Sequence, residues 1–276
     1  MFSLDPIQRY RLGRAPLVQA LVQVRFPLIA HLQTLAGVAP LQERLREMFP
    51  YMEERKEIAL VIGPPEASPS EPEKTTTWQF SDDHGWQLGI SAGVANLLAS
   101  SNYSGFAEFA NRFASIVEVL RDVERISRCD RLGVRYLNVA GLPNDDPNAW
   151  SRWFRPELVG WPGSGLLAPD SKLVVSITQS QLTSPPIENY SIMPAEVQGI
   201  IRHGVAPAGS GVPGIETQLE RDSFLLDLDL FVLGAQPFDP SMLHEQFSLL
   251  HSQIDRFFRW SLTDEGAEHF QLEEIE

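Results

Sequence analysis

Two stretches of the chain repeat apolar residues every three or four positions, which is the period of an amphipathic helix. In residues 105–127 the repeating side chains are Phe106, Phe109, Phe113, Ile116, Val117, Leu120 and Val123. In residues 240–262 they are Leu243, Phe247, Leu250, Ile254, Phe257 and Phe258. The pattern predicts two long helices, each of which buries one phenylalanine-rich face.

Shorter stretches have the alternation or the β-branched and aromatic composition of strands. They cover residues 16–26, 52–62, 75–80, 86–91, 131–138, 172–178, 199–205 and 224–232. The polar residues 81–85 between two of them indicate a hairpin. Short helices are predicted over residues 38–49 and 148–158. The proline-rich residues 63–75 and the glycine-rich residues 206–214 are typical of loops.

The order of these elements predicts the fold. Residues 16–127 and 131–262 each contain a strand, a short helix, three strands and a long helix. We expect an α+β protein of pseudo-duplicated βαβββα units, with two antiparallel sheets each packed on a long amphipathic helix. The predicted domains are residues 1–128 and 129–263, followed by an acidic tail at 264–276.

The central strand, residues 131–138, supplies the most distinctive candidate site. Alternation places Arg131 and Arg135 on one face of it. Late in the chain, Asp227 and Asp229 share a strand face, with side chains roughly 7 Å apart. The carboxylates could form ion pairs with the arginines, lie in solvent, line a polar groove or bind a divalent cation. Ion pairing or solvation is the favoured interpretation.

Composition narrows the classes of function. The net charge of −14 disfavours nucleic-acid binding, which needs a basic face. The single cysteine, Cys129, can form no internal disulfide and is interpreted as a small buried residue. The sequence predicts no signal peptide, no membrane-spanning segment and no cofactor. We therefore expect a cytoplasmic protein that has no contact with a membrane.

Motifs for catalysis are weak. Residues 89–93 match the G-x-S-x-G pattern, but a nucleophile such as Ser91 needs a strand-to-helix turn in a mostly parallel sheet. The six histidines have no metal-binding spacing. His251 and Asp255 are four residues apart, so they could form a local pair. Trp150, Trp153 and Trp161 indicate either core packing, which is favoured, or an apolar pocket or partner interface.

The chain resembles a sporadically distributed prokaryotic family of about 250-residue proteins of unknown function. The resemblance rests on residues 16–26, 103–106, 131–138 and 226–229 and on a final helix with His251 and Phe257, and it spans nearly the whole chain. Its most specific part is Arg131-Leu132-Gly133-Val134-Arg135-Tyr136-Leu137-Asn138. It implies a role in mobile defence or toxin–antitoxin islands, and it brings no catalytic residues.

Three functions remain open. The first is a non-enzymatic binding protein that engages a protein partner, itself or a small ligand in the groove between the halves, as an antitoxin, immunity or defence component. Its candidate binding residues are Arg131, Arg135, Asn138, Asp227, Asp229, Trp150 and Trp153. The second is a hydrolase that uses Ser91 or the two aspartates. The third is nucleic-acid binding by a saddle made of both halves, which the net charge opposes.

Overall fold

The computed structural model describes residues 2–4, 9–58, 74–99, 103–144, 146–168, 171, 173–185, 196–212 and 218–275. The helices are α1 (Leu35–Leu45), α2 (Phe106–Glu124), α3 (Trp150–Trp153), α4 (Pro156–Val159), α5 (Pro240–Ser261) and α6 (Asp264–His269). The strands are β1 (Tyr10–Leu12), β2 (Leu17–Arg25), β3 (Tyr51–Ile58), β4 (Lys74–Ser81), β5 (Trp86–Ser91), β6 (Val94–Ala99), β7 (Arg128–Gly141), β8 (Ser176–Ser184), β9 (Glu196–Ala206), β10 (Ser223–Pro237) and β11 (Leu272–Glu274). Short 3-10 helices lie at Ala30–Gln33 and Trp161–Gly163.

Nine strands form one antiparallel sheet in the order β3-β4-β5-β6-β2-β7-β10-β9-β8. Its centre is the pair β2–β7, in which Val22 lies opposite Val134 and Arg25 opposite Arg131. β7 also pairs with β10 over most of its length. The two predicted halves are therefore joined directly, because a strand of the first pairs with a strand of the second in the middle of the sheet.

The two long helices contribute aromatic rings to a core on one side of this sheet. The ring of Phe109 in α2 lies 5.0 Å from that of Phe247 in α5 and 6.5 Å from that of Tyr136 in β7. Leu132 and Val134 of β7 are fully buried on the same side. This arrangement follows from the apolar stripes of the helices, which are hidden from water only when they face the sheet.

Local signals fix where the helices begin and end. α5 starts after Asp239, whose side chain accepts a hydrogen bond from the backbone N–H of Met242, and Pro240 occupies its first turn. Thr34 caps α1 by accepting from Gly37 N–H. The side chains of Asp239 and Thr34 thus satisfy N–H groups that the helices themselves leave unpaired. α2 ends at Glu124, and the next residue, Arg125, adopts a left-handed conformation with φ of 53°.

The other side of the sheet, which we call the outer face, is mainly polar. Alternation along the strands brings Gln23, Asn96, Arg131 and Asp229 to it, and all four are only partly buried. Near the ends of β7 and β10 the outer face carries a small apolar cluster made of Leu137, Ala206, Val212 and Leu219. The outer face thus differs chemically from the phenylalanine-rich side that meets the helices.

A second, two-stranded sheet joins β1 to β11, and we call it the terminal ribbon. Tyr10 lies opposite Glu274 and Leu12 opposite Leu272. Arg11 donates a hydrogen bond of 2.8 Å from Nε to Glu273. The acidic tail at 264–276 therefore contains α6 and β11, and the ribbon brings Tyr10 against α5.

Several predictions need correction. The α+β class is confirmed, but the strands of both halves join in one nine-stranded sheet instead of two. The first half has four strands after its short helix, because Val94–Ala99 forms β6. The helix predicted at 148–158 is divided into α3 and α4, since Pro156 begins a new turn. Parts of the predicted strand at 52–62 and of the loop at 63–75 lie outside the described residues.

None of the helices in the described ranges combines the length and apolar content that a membrane-spanning helix requires.

Candidate functional site

A pocket of about 430 Å³ opens beside β7, α5 and the terminal ribbon. We call it the tyrosine pocket and define it by Tyr10, Tyr103, Tyr136, His251 and Asp255. The rest of its lining is Arg11, Leu12, Ala15, Leu17, Ser104, Gly105, Asn138, Ile254, Phe258 and Ile275. The volume lies within the range of small-molecule sites, about 300–1,000 Å³.

Four separate elements position the polar side chains of the tyrosine pocket. Tyr136 points inward from β7, and Tyr103 lies just before the start of α2. His251 and Asp255 are one turn apart on α5, so both project from the same side of that helix. Tyr10 reaches the pocket from β1. The pocket therefore forms only when the terminal ribbon, the central strand and α5 are all in place.

Hydrogen bonds join the three tyrosines and Asp255 into two pairs. The hydroxyls of Tyr103 and Tyr136 are 3.0 Å apart. Tyr10 donates its hydroxyl proton to Asp255 Oδ1 at 2.7 Å. In the Tyr103–Tyr136 pair only one proton is used between the two oxygens, so the other hydroxyl keeps a proton that it can donate to a ligand.

Burial shapes the protonation of these groups. It raises the pKa of Tyr103 to about 12 and that of Tyr136 well above its ordinary value. Burial, with the nearby Asp255 carboxylate, also raises the pKa of Tyr10. The pKa of Asp255 is raised by burial, against the opposing effect of the hydrogen bond from Tyr10. The three phenols are therefore neutral over the physiological pH range.

His251 supplies an imidazole without charge. Its ring stacks on Phe106 at a centroid distance of 3.8 Å and an angle of 4°. Burial lowers its pKa to about 4. Its Nδ1 atom is buried and has no hydrogen-bond partner within the described ranges. Such an unpaired nitrogen is costly in a folded protein unless something else satisfies it.

Ser104, the residue after Tyr103, also lines the tyrosine pocket, but its hydroxyl is already hydrogen-bonded. Ser104 donates its hydroxyl proton to Glu108, and Glu108 also accepts from Arg112 at 3.0 Å. A serine nucleophile needs a base that takes its proton, usually a histidine held by a third group. Glu108 is an exposed partner at the start of α2 instead. The geometry of the tyrosine pocket is suited to binding a ligand.

The predicted residues Arg131, Arg135, Asp227 and Asp229 do meet, on the outer face, where they form what we call the arginine–aspartate ladder. Arg135 donates to both carboxylate oxygens of Asp227, at 2.7 and 2.9 Å. Arg131 Nη2 lies 3.3 Å from Asp229. From β9, Arg202 donates to Asp227 at 3.0 Å. The carboxylates are thus neutralised by arginines of the neighbouring strands.

Neutral amides extend this ladder across the sheet. Gln179 of β8 accepts from Arg202 at 2.7 Å. On the other side, Gln23 of β2 accepts from Arg131 at 2.9 Å and donates to Asn96 of β6 at the same distance. The ladder therefore touches the six adjacent strands from β8 to β6. Pairs of this kind fix the register of strands more than they add stability.

Burial and ion pairing have opposite effects on the pKa values of the ladder residues. Burial lowers the pKa of Arg135, but the hydrogen bonds and the charge of Asp227 outweigh it, so that the pKa is raised overall. Burial raises the pKa of Asp229, against the opposing charges of Arg131 and Arg135. Only 6% of the Asp227 side chain is exposed. Asp227 is therefore a buried structural partner of two arginines.

The other predicted site residues lie elsewhere. Asn138 is on the inward side of β7, where it lines the tyrosine pocket and donates to Leu226 O at 3.2 Å. Trp150 stacks on Phe224 at 5.8 Å, and Trp153 stacks on His269 at 3.8 Å. Both tryptophans are buried in the core. Asn138 is thus separated from the arginines with which its sequence position grouped it.

Ser91, on which one form of the hydrolase alternative rests, lacks the geometry of a nucleophile elbow. Ser91 is the last residue of β5, and residues 92–93 form the turn into β6. A nucleophile elbow needs a helix at this place, because the helix N-terminus and the sharp turn expose the serine. Ser91 instead belongs to an ordinary antiparallel hairpin.

None of the five residues that define the tyrosine pocket was predicted as a site residue. Tyr10 and Asp255 are far apart in the sequence, and Tyr103 and Tyr136 have the pattern of core aromatics. The spacing of His251 and Asp255 indicated a local pair, but the hydrogen bond to Asp255 comes from Tyr10. Two polar residues on the apolar stripe of α5 were the signal that could have drawn attention to this region.

Comparison of the chain with protein-family models and with curated proteins gives no match. The resemblance to the sporadically distributed family stays a prediction. Within the described ranges, no group of three histidine, cysteine, aspartate or glutamate side chains has a geometry that could hold a metal ion.

Proposed function

We propose that this chain is a non-enzymatic binding protein that holds a small ligand in the tyrosine pocket. One observation carries the proposal. Neutral polar groups from the terminal ribbon, β7 and α5 converge on one pocket of about 430 Å³, and His251 Nδ1 is left there without a described partner. Buried polar groups are normally satisfied, so such a group indicates a place where a ligand or water completes the bonding.

The lining defines the chemistry of this ligand. Leu12, Leu17, Ile254 and Phe258 provide apolar walls. The free proton of the Tyr103–Tyr136 pair calls for a hydrogen-bond acceptor, such as a carbonyl oxygen. An anionic ligand is disfavoured because the Asp255 carboxyl lies in the wall. The proposed ligand is therefore an uncharged, largely apolar molecule with at least one acceptor oxygen.

The test is to compare native and denaturing mass spectra of gently purified protein. We expect a small non-covalent mass in the native spectrum that is lost on denaturation. Ala15 is an exposed residue of the pocket lining, so Ala15→Trp should fill the pocket and abolish the bound mass. Ala39→Trp, at an exposed position of α1, is the matched control. A mass that persists in Ala15→Trp, or a protein that binds nothing, contradicts the proposal.

We also infer that the two halves arose by duplication. What supports this is the mirrored strand order: in each half the first strand (β2 or β7) is central, the last strand (β6 or β10) lies beside it, and the second strand (β3 or β8) is at an edge. Each half ends in a long helix. Both long helices pack on the inner side of the sheet, so the outer face of the two related halves stays available for binding.

A protein partner on the outer face is the second candidate function, and it includes the antitoxin, immunity or defence role. The supporting observation is that Gln179, Gln23 and Asn96 are held by hydrogen bonds on that face. Side chains that are already ordered lose little entropy when they bind. Native mass spectrometry after co-expression with neighbouring genes should detect a stoichiometric partner or a homo-oligomer. A lone monomer contradicts this candidate and leaves the pocket proposal to its own test.

A further inference from the structure

A second cleft, of about 250 Å³, lies at the opposite end of the sheet from β3. We call it the hydroxyl cleft and define it by Ser176, Thr178, Ser180, His203 and Trp161. Its floor is the strand pair β8–β9, and its wall is α4 with the 3-10 turn at Trp161–Gly163. Its volume is slightly below that of sites for drug-sized molecules, which suits a ligand of one ring.

The floor presents hydroxyl groups in a row. Ser176 lies opposite Val205, Thr178 opposite His203, and Ser180 opposite Ile201. Residues two apart on one strand point to the same side and are roughly 7 Å apart. β8 is an edge strand, so this row lies where the core ends. A run of three hydroxyl residues there gives donors and acceptors without any charge.

His203 lies opposite Thr178 and lines the hydroxyl cleft. Its side chain is nine-tenths buried, with 9% exposed, and its Nδ1 atom has no hydrogen-bond partner in the described ranges. Burial lowers its pKa, while a hydrogen bond to the backbone carbonyl of Leu158 acts in the opposite direction. A neutral imidazole has one donor nitrogen and one acceptor nitrogen. A buried ring nitrogen without a partner is costly unless a ligand or a water molecule satisfies it.

Aromatic rings complete the hydroxyl cleft. Trp161 is 62% exposed at its rim, and its backbone carbonyl is held by the Ser164 hydroxyl at 2.6 Å. Trp150 and Phe224 stack on each other at the back. Glu157 also lines the cleft, and it carries the charge that repels anionic ligands. An exposed indole beside buried rings is a flat apolar surface that is costly to leave in water.

We propose that the hydroxyl cleft binds a neutral carbohydrate ring. Such a ring has hydroxyl groups that can donate to the His203 imidazole. The same groups can donate to and accept from Ser176, Thr178 and Ser180. Its apolar C–H face can stack on Trp161. Phosphate-bearing ligands are opposed by Glu157. This inference rests on residues outside the tyrosine pocket and does not depend on the function proposed for that pocket.

Saturation-transfer NMR tests the proposal with four probes: glucose, galactose, mannose and N-acetylglucosamine. We expect saturation transfer from the protein to the ring protons of at least one of them. Trp161→Ala should weaken that binding about tenfold, since it removes the stacking surface. Leu166→Ala is the matched control, because Leu166 is also an exposed apolar side chain, 78% exposed, but does not line the cleft.

A second pair of variants tests the hydroxyl row. Thr178→Val removes one hydroxyl at nearly constant side-chain shape and should weaken the binding of the sugar. Thr183→Val makes the same change on the other face of the strand and should leave the binding unchanged. The proposal is overturned if none of the four sugars shows transfer, or if the binding survives Trp161→Ala. Adenosine is the comparison probe: saturation transfer to adenosine with none to the sugars would also overturn the proposal and assign the cleft to a heteroaromatic ring.

Discussion

Arg135 and Tyr136 are neighbours in β7, yet they belong to two regions of opposite character. Arg135 points to the outer face, where it shares Asp227 with Arg202. Tyr136 points to the inner side, where its hydroxyl meets only that of Tyr103 among the contacts described. The ladder is highly charged and internally satisfied. The tyrosine pocket sets neutral phenols and an uncharged imidazole beside one carboxyl group, that of Asp255, and leaves hydrogen-bonding capacity unused.

The difference teaches that conspicuous charge is a poor guide to a binding site. A buried charge must find an opposite charge within the protein, because desolvation would otherwise be too costly. Once paired, it has little left to offer a ligand. A neutral hydroxyl or imidazole costs less to bury, so a protein can keep it available. The four variants below break or sharpen this contrast.

The largest effect is expected at the ladder. Asp227→Ala should lower the free energy of unfolding by roughly 3–5 kcal/mol, because it leaves Arg135 and Arg202 without their shared carboxylate. Urea unfolding measures this. Asp122→Ala is the control, since the Arg121–Asp122 pair is 46% exposed at both side chains and such pairs contribute about 0–1 kcal/mol. Equal losses in both variants would contradict the structural role of the ladder.

The next effect is a pH dependence that originates in the pocket. The pKa of His251 is about 4 in the folded protein and 6.5 when unperturbed. Between these values the unfolded chain binds the proton and the folded chain does not, so stability falls as the pH is lowered from 6.5 to 4. The full loss is about 3 kcal/mol.

His251→Phe isolates this contribution, because it keeps a ring on Phe106 and removes the titration. Thermal unfolding from pH 4 to 7 should show a smaller slope for the variant than for the parent. Asp255, Tyr103 and Tyr136 surround the site in both proteins, and their titrations cancel in the difference. Parallel slopes would show that the pKa of His251 is the same in the folded and the unfolded protein.

A smaller effect is expected from Tyr136→Phe. Removal of one hydroxyl should lower the free energy of unfolding by about 1 kcal/mol. It should also lower the affinity of the tyrosine pocket for its ligand about tenfold. Affinity for the co-purified molecule, measured by calorimetry, is the direct test. Tyr51→Phe removes the hydroxyl of a tyrosine that is 51% exposed and should change neither quantity. Unchanged affinity in Tyr136→Phe would remove the phenol pair from the binding site.

The smallest effect is expected from Ser91→Ala. Ser91 lies on a hairpin of the outer face, away from the tyrosine pocket, so stability should stay within about 0.5 kcal/mol. Ligand binding should also be unchanged. If an ester-hydrolysing activity is found in the purified protein and Ser91→Ala abolishes it, Ser91 is a nucleophile despite the hairpin.

The long helices were predictable from the sequence because their signal is local. Phe109 and Phe113 recur along one face of α2, as Phe247 and Ile254 do along α5, and burial requires this spacing. β6 was missed because residues 92–93 form a short turn without the usual Asn-Gly or Asp-Gly signal. The single sheet was missed because nothing in residues 17–25 states that their partner is β7.

The charged part of the site was partly predictable, and the neutral part was not. Arg131 and Asp229 were grouped with Arg135 and Asp227 because their charges stand out on alternating strands. Tyr10 and Asp255 meet only through the terminal ribbon, a contact between segments near the two ends of the chain. Tyr136 has the sequence pattern of any core aromatic. Such convergence is a property of the assembled fold.

The central pairing of β2 with β7 has a consequence for how the chain folds. The strands β3 to β6 pair with sequence neighbours, but Val22 meets Val134 only after the whole first half has been brought into place. Contacts of such long range form slowly, because the entropy of closing the loop is lost before the contact is gained. We therefore expect refolding in which local hairpins and helices form early and the β2–β7 seam closes last. Until it closes, β2 and β7 each expose an unpaired edge, and the protein is at its most vulnerable to aggregation.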